Sequence, residues 1–175
     1  MKKILIVDDE QDIVESLKFV LEVSGYTCYT AFNGEDGLKL AKEISKQAVD
    51  NKVENATLFV RGIKQSGALS CIKHFPGAGS STKDSHLELP IIEDSKEQLL
   101  NYNMYPFVHL LESDALMTSH CLYKSFDELP STLSKVLLTE VLKEQIGYQG
   151  LVISDGMEMK AILDHYGIAR GSIMA

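Results

Sequence analysis

Four groups in this chain have the types and spacing to do acid–base or nucleophilic chemistry. The run Lys73-His74-Phe75-Pro76-Gly77 delivers a cation and an imidazole to the end of a short apolar stretch, Ala68 to Ile72, and then turns. Ten residues past the imidazole come Asp84 and His86, a carboxylate and an imidazole one residue apart in a polar loop. A carboxylate at that spacing can hold one ring nitrogen and raise the basicity of the other. Asp155 lies two residues past a further apolar run, Leu151-Val152-Ile153, and places a carboxylate at another strand end. Near the amino terminus, Asp8-Asp9 closes Ile4-Leu5-Ile6-Val7 as an acidic pair at a strand end.

All these groups sit where an apolar run stops. In parallel α/β sheets, ligand chemistry collects at the carboxyl ends of strands, where loops converge without disturbing the core. The expected strands are 4–7, 26–31, 69–74, 115–117 and 151–153, alternating with helical patterns. Ile13, Leu17, Val20 and Leu21 recur at helical spacing until Ser24-Gly25. Asn33-Gly34 opens a second helix carrying Leu38 and Ala41. Ala56, Phe59, Val60 and Ile63 share a later helical face, with an interruption expected near Asp50-Asn51. Pro106 suits a first helical turn, and Ser131 or Thr132 is placed to cap the helix of Val136, Leu137 and Val141.

Composition bounds the function. The chain has 175 residues, 45% hydrophobic and 24% charged, as in a globular domain. A net charge of −8 argues against nucleic acid and anionic membrane as partners, because phosphate binding needs clustered cations. No apolar run approaches the roughly 20 residues of a membrane span. Cys28, Cys71 and Cys121 are odd in number and lack metal-ligand spacing, which fits reduced thiols and a cytoplasmic setting.

Two resemblances divide the chain. KKILIVDDEQDIVESLKFVLEVSGYTCYTAFNGEDGLKLA, within residues 1–42, resembles the opening β-α-β-α of a response-regulator receiver domain. That resemblance makes Asp8 and Asp9 Mg²⁺ ligands, yet Lys73-His74 stands where a third strand would present the phospho-accepting aspartate. FVRGIKQSGALSCIKHFPGAGSSTKDSHLELP, DALMTSH and GYQGLVISDGMEM, within 59–175, resemble family 3 glycoside hydrolases of the β-N-acetylhexosaminidase kind, over the second half of a (β/α)₈ barrel. This second resemblance implies a retaining hydrolase with Asp155 as nucleophile and the Asp84–His86 pair as acid/base. Lys73 and His74 would bind sugar hydroxyls, and an N-acetylglucosaminide would be the substrate. Ala78 departs from the family's usual histidine and Gly156 from a common second acid. The aspartate and arginine that the early barrel strands bring to the sugar pocket have receiver-like sequence in their place.

The sequence therefore leads us to expect one chimeric α/β domain over 1–175, with a junction at 43–58. Its fold would be a three-layer α/β/α domain with a five-stranded parallel sheet in the flavodoxin-like order 2-1-3-4-5, monomeric. The alternative is a half-barrel completed by a second copy. An engineered or recombined chain with no evolved activity is the leading expectation. Residual β-N-acetylhexosaminidase activity and a Mg²⁺-binding receiver-like module are the alternatives, with no other cofactor. The plainer readings of the same residues are structural: Lys73 paired with Asp8 or Asp155, Asp84 and His86 as mobile loop residues, and Asp8 and Asp9 as strand-end solvation. His74, His120 and Asp155 on an adventitious metal, and Gly77–Ser81 as a weak anion cradle, complete the set.

Overall fold

The computed structural model describes residues 2–175, and the chain divides into two compact units, Met1–Asn51 and Lys52–Ala175. In the first unit, β1 (Lys3–Val7) and β2 (Thr27–Ala31) pair in parallel, with Lys3 opposite Thr27 and Val7 opposite Ala31. They are joined by α1 (Gln11–Val23), which ends as Gly25 takes a positive φ of 87°. The apolar run of β1 predicts a strand buried on both faces, but Ile6 alone of its residues is buried, and Val7 is 44% exposed. A strand with one ladder partner in a two-stranded sheet has little to cover it.

The unit boundary falls within α2 (Gly34–Gln65). Asn33 caps this helix, its Oδ1 accepting from Asp36 N at 2.8 Å. The interruption expected near Asp50-Asn51 does not occur, because from Leu38 to Arg61 the chain contains neither glycine nor proline to break the helix.

The second unit carries the candidate chemistry. Its main sheet is parallel and three-stranded, in the order β3 (Cys71–Phe75), β5 (Ala115–Thr118), β7 (Leu151–Ile153). A second small parallel sheet pairs β4 (Ile91–Ile92) with β6 (Leu122–Tyr123). The helical segments between are α3 (Lys96–Gln98), a π-type turn at Leu99–Asn103, α4 (Tyr105–His109), a 3₁₀ turn at Ser131–Leu133 and a π-type helix at Val136–Gln145. Two short helices, α5 (Lys160–Tyr166) and α6 (Ile168–Met174), meet at Gly167, whose φ is 72°.

The single sheet of order 2-1-3-4-5 is thus not formed. Among the described residues, β1 and β2 pair with each other, and β3, β5 and β7 make a separate ladder in chain order. Chain-order neighbours joined through helices are what an arc of a (β/α) barrel requires. The core of this unit packs Phe75, Leu116, Leu137, Val141, Leu142 and Tyr148, and Phe75 meets Phe107 edge-on with ring centroids 5.4 Å apart. Pro106 lies in the first turn of α4, as its fixed φ favours. The cap of the Val136–Gln145 helix is Ser134, whose Oγ accepts from Leu137 N at 3.1 Å, and not Ser131 or Thr132.

Candidate active site

A cleft of about 790 Å³ opens at the carboxyl ends of β3, β5 and β7, lined by Lys73, His74, Asp84, His86, His120 and Asp155 among others. The five residues expected to do glycosidic chemistry therefore face one space. Two neighbours on a regular strand point to opposite faces, so Lys73 and His74 could not both line it. A bulge resolves this: Lys73 pairs with Met117 and Phe75 with Thr118, leaving His74 unpaired between them. Phe75 then fills the core while both polar neighbours reach the cleft.

Asp155 is held at both oxygens. Its Oδ1 accepts from Gly156 N at 2.8 Å, and its Oδ2 lies 3.3 Å from His74 Nε2. Burial pushes the His74 pKa below its ordinary value, against the pull of the Asp155 carboxylate, and the Lys73 cation lowers it further. A neutral His74 meets Asp155 as an Nε2–H donor. Lys73 is exposed, and the side chain that meets Asp155 is His74, as a hydrogen-bond donor.

The Asp84–His86 pair forms by local turn chemistry. Asp84 Oδ1 accepts from His86 N at 2.9 Å and lies 2.8 Å from His86 Nδ1. These two contacts from His86 hold the Asp84 carboxyl below its ordinary value, so it stays ionised. The loop is tied to α5, with Ala161 N donating to Ser85 O at 3.3 Å.

Three of the five amides of Gly77–Ser81 are already engaged within the protein, which leaves little of the run for an anion. Gly77 N donates to His74 O, Ser80 N to Asp94 Oδ2, and Ser81 N to Ala78 O. Gly79 has a φ of 58°, and a Cβ there would meet Ile92 Cγ2 at 2.7 Å, so the turn admits glycine only. Tyr123, whose hydroxyl donates to Gly77 O, is kept neutral by burial.

His120 was a candidate ligand for a metal shared with His74 and Asp155. It is 1% exposed, its Nδ1 lies 2.8 Å from Thr132 Oγ1, and its Nε2 lies 2.9 Å from Gly156 O. Both ring nitrogens are committed. Among the described residues no group of three or more His, Cys, Asp or Glu could hold a metal ion. In the first unit, Asp8 Oδ1 accepts from Glu10 N at 2.9 Å as a local turn. No helix among the described residues is long and apolar enough to cross a membrane.

Comparison with known proteins fits this geometry. The model of the glycosyl hydrolase family 3 N-terminal domain matches residues 45–175. A β-hexosaminidase of Haemophilus influenzae is 38% identical over 115 residues, covering 64% of this chain and 33% of the relative. One from Histophilus somni is 39% identical over 111 residues, covering 62% of this chain and 32% of the relative. The chain thus spans about a third of the length of the curated relatives it matches. Among solved structures, a family 3 β-N-acetylglucosaminidase from a Paenibacillus species is 37% identical with a TM-score of 0.64, covering 66% of this chain and 23% of that one. The β-N-acetylglucosaminidase from Thermotoga maritima gives 37% and 0.64, covering 70% and 27%.

These relatives overturn the expectation of a recombined chain without evolved activity. The matched span, residues 45–175, contains Lys73-His74, Asp84–His86 and Asp155, and the relatives are β-hexosaminidases and a family 3 β-N-acetylglucosaminidase. The receiver resemblance of residues 1–42 gains no support from them, since the family match begins at residue 45. Through residues 45–175, the chain belongs to glycosyl hydrolase family 3.

Proposed function

We propose that this chain hydrolyses terminal N-acetylhexosaminides with retention of anomeric configuration. Asp155 acts as nucleophile, His86 as general acid/base, and Lys73 and His74 hold sugar hydroxyls. The observation that carries this reading is the pairing of His86 with Asp84 at 2.8 Å on the same cleft as an Asp155 whose oxygens are both held.

In the first step an Asp155 oxygen bonds to the anomeric carbon as the glycosidic C–O bond breaks. The leaving oxygen takes the proton from His86 Nε2, while Asp84, held ionised, steadies the imidazolium at Nδ1. In the second step His86 accepts a proton from water, the water oxygen bonds to the anomeric carbon, and Asp155 departs as carboxylate. Protein groups and water balance both steps. Asp155 suits the nucleophile role because His74 and Gly156 N fix its direction without removing its exposure to the cleft.

The test is chromophore release from an aryl N-acetyl-β-glucosaminide, with product configuration read by NMR before mutarotation. Release with retention, lost in Asp155→Asn, is the expected result. A wild-type rate no higher than buffer overturns the proposal.

A further inference from the structure

Beneath the cleft lies a buried polar chain that the proposed steps do not use. Thr118 Oγ1 and Thr132 Oγ1 are 2.8 Å apart, and Thr132 Oγ1 is 2.8 Å from His120 Nδ1. His120 Nε2 is 2.9 Å from the carbonyl oxygen of Gly156. All three side chains are buried, Thr118 and His120 at 1% exposure and Thr132 at 2%.

Donor and acceptor bookkeeping gives the chain a direction. The Gly156 carbonyl can only accept, so His120 Nε2 carries a proton. A neutral ring then needs a donor at Nδ1, and the Thr132 hydroxyl is the group in place. That single hydroxyl proton has a second acceptor, Ser119 O at 3.0 Å, and this carbonyl can take it alongside Thr132 N–H at 3.1 Å. Whichever acceptor it serves, His120 Nε2–H stays on the Gly156 carbonyl; with the hydroxyl proton directed at Nδ1, Thr118 donates to Thr132 Oγ1 behind it.

The end of the chain is what gives it consequence. Gly156 offers its N–H to Asp155 Oδ1 and its C=O to His120, so one residue is clamped from both sides. Glycine has the widest backbone freedom of any residue. Without the histidine, the peptide that aims the Asp155 carboxylate has lost its fixed end. We propose that His120 is a positioning residue: donating from Nε2–H, with its ring held at Nδ1 by Thr132, it pins the Gly156 carbonyl and thereby the direction of Asp155. This rests on the reading of Asp155 as nucleophile, but its physical content is the coupling between two side chains.

Two measurements on the full chain separate the two ideas. Nitrogen-15 NMR of the histidine rings should show His120 as the Nε2–H tautomer with a slowly exchanging ring proton. The ¹³Cγ titration of Asp155 should move in His120→Leu and in Thr132→Val, and return towards wild type in His120→Gln, whose amide can still donate. With an aryl N-acetyl-β-glucosaminide, His120→Leu should lower kcat roughly 10- to 100-fold with KM within about twofold, as misaimed groups do. His120→Gln should recover part of that loss. An Nδ1–H tautomer, or an Asp155 titration unmoved in whichever of His120→Leu and Thr132→Val is folded, overturns the proposal. A wild-type chain with no turnover but with the expected spectra leaves the positioning role standing and removes only the hydrolase reading.

Discussion

The β3–β5–β7 sheet holds a carboxylate beside a basic side chain at each end, and the two ends differ in what is left over. At the cleft end, Asp155 lies 3.3 Å from His74 and accepts from one amide. Where the chain enters β3 and β5, Asp114 Oδ2 accepts from Ser70 N at 2.9 Å and Ser70 Oγ at 2.8 Å, while Oδ1 lies 3.2 Å from Lys64 Nζ. Three donors pull the Asp114 pKa down to about 2, with the Ser70 amide first among them. Such a saturated carboxylate locks α2 and two strand starts together, and has little affinity left for a substrate. The lightly held one, opening on a cleft, keeps the capacity to form a bond. A carboxylate next to a basic group is thus no signature of a site; the count of donors already spent on it is.

The sharpest way to break this comparison is to neutralise each acid in turn. Asp155→Asn should abolish aryl N-acetylglucosaminide hydrolysis, a loss on the order of 10⁴-fold in kcat/KM, with the melting curve little changed. Asp114→Asn should do the reverse, leaving kcat/KM within about twofold and lowering Tm by a few degrees. Parallel effects of the two substitutions on both readouts would dissolve the distinction.

Next in size is Asp84→Asn. The pair it forms with His86 is largely exposed, with side chains 58% and 71% accessible, so its contribution to folding is negligible. Its contribution to proton transfer should not be. An amide in place of the carboxylate neither supports an imidazolium nor fixes the ring, and kcat should fall on the order of 100-fold at unchanged Tm. Steady-state kinetics beside a thermal melt decides it, and a fall in both would make the pair structural.

The placement of the residues on this rim was legible in the sequence because it is local. Apolar runs that stop at Lys73-His74 and at Ser154-Asp155 mark parallel strand ends, and β7 occupies Leu151–Ile153 as its residues indicate. The Asp84–His86 contact follows from a one-residue spacing that an aspartate turn closes by itself. What failed was long-range. The two-residue partners β4 and β6 have no period to detect. Thr132 has the character of a helix cap, yet it turns inward to His120, because the 3₁₀ turn at Ser131–Leu133 moves the helix start to Ser134. The bulge at His74 is a property of the β3–β5 ladder and is invisible in β3 alone. Likewise, parallel βα patterns predict strands without saying which ladder they join, and five such strands here make separate sheets.

Acid should separate the two ends further. The Asp114 carboxyl is lowered from an ordinary 3.8 to about 2, so the folded state holds its proton more weakly than the unfolded chain. A depressed acid contributes stability that is complete above about pH 4 and is lost as pH falls through its folded value. Wild type and Asp114→Asn should therefore differ most above pH 4 and converge towards pH 2. His74 has the same sign in a higher window. Its folded pKa is lowered below 6.5, so the unfolded chain binds protons first and stability declines as pH falls through that value. Urea midpoints against pH for wild type, Asp114→Asn and His74→Gln resolve the two windows, and a wild-type curve flat between pH 7 and 2 contradicts both.

The smallest expected effect tests the saturated end one donor at a time. Ser70 is 2% exposed, and its hydroxyl both donates to Asp114 Oδ2 and accepts from Asp114 N at 3.2 Å. Ser70→Ala removes one donor from the carboxylate and leaves the Asp114 amide without that acceptor, a cost of about 1–2 kcal/mol. The Ser70 amide and Lys64 remain, so the acid should still titrate below 3.8, though less far below it. Activity should be untouched, since Ser70 precedes β3 and the cleft lies past the strand's other end. If Ser70→Ala instead lowered kcat while leaving the Asp114 titration in place, the two ends would be coupled through β3, and the division of labour along the sheet would fail.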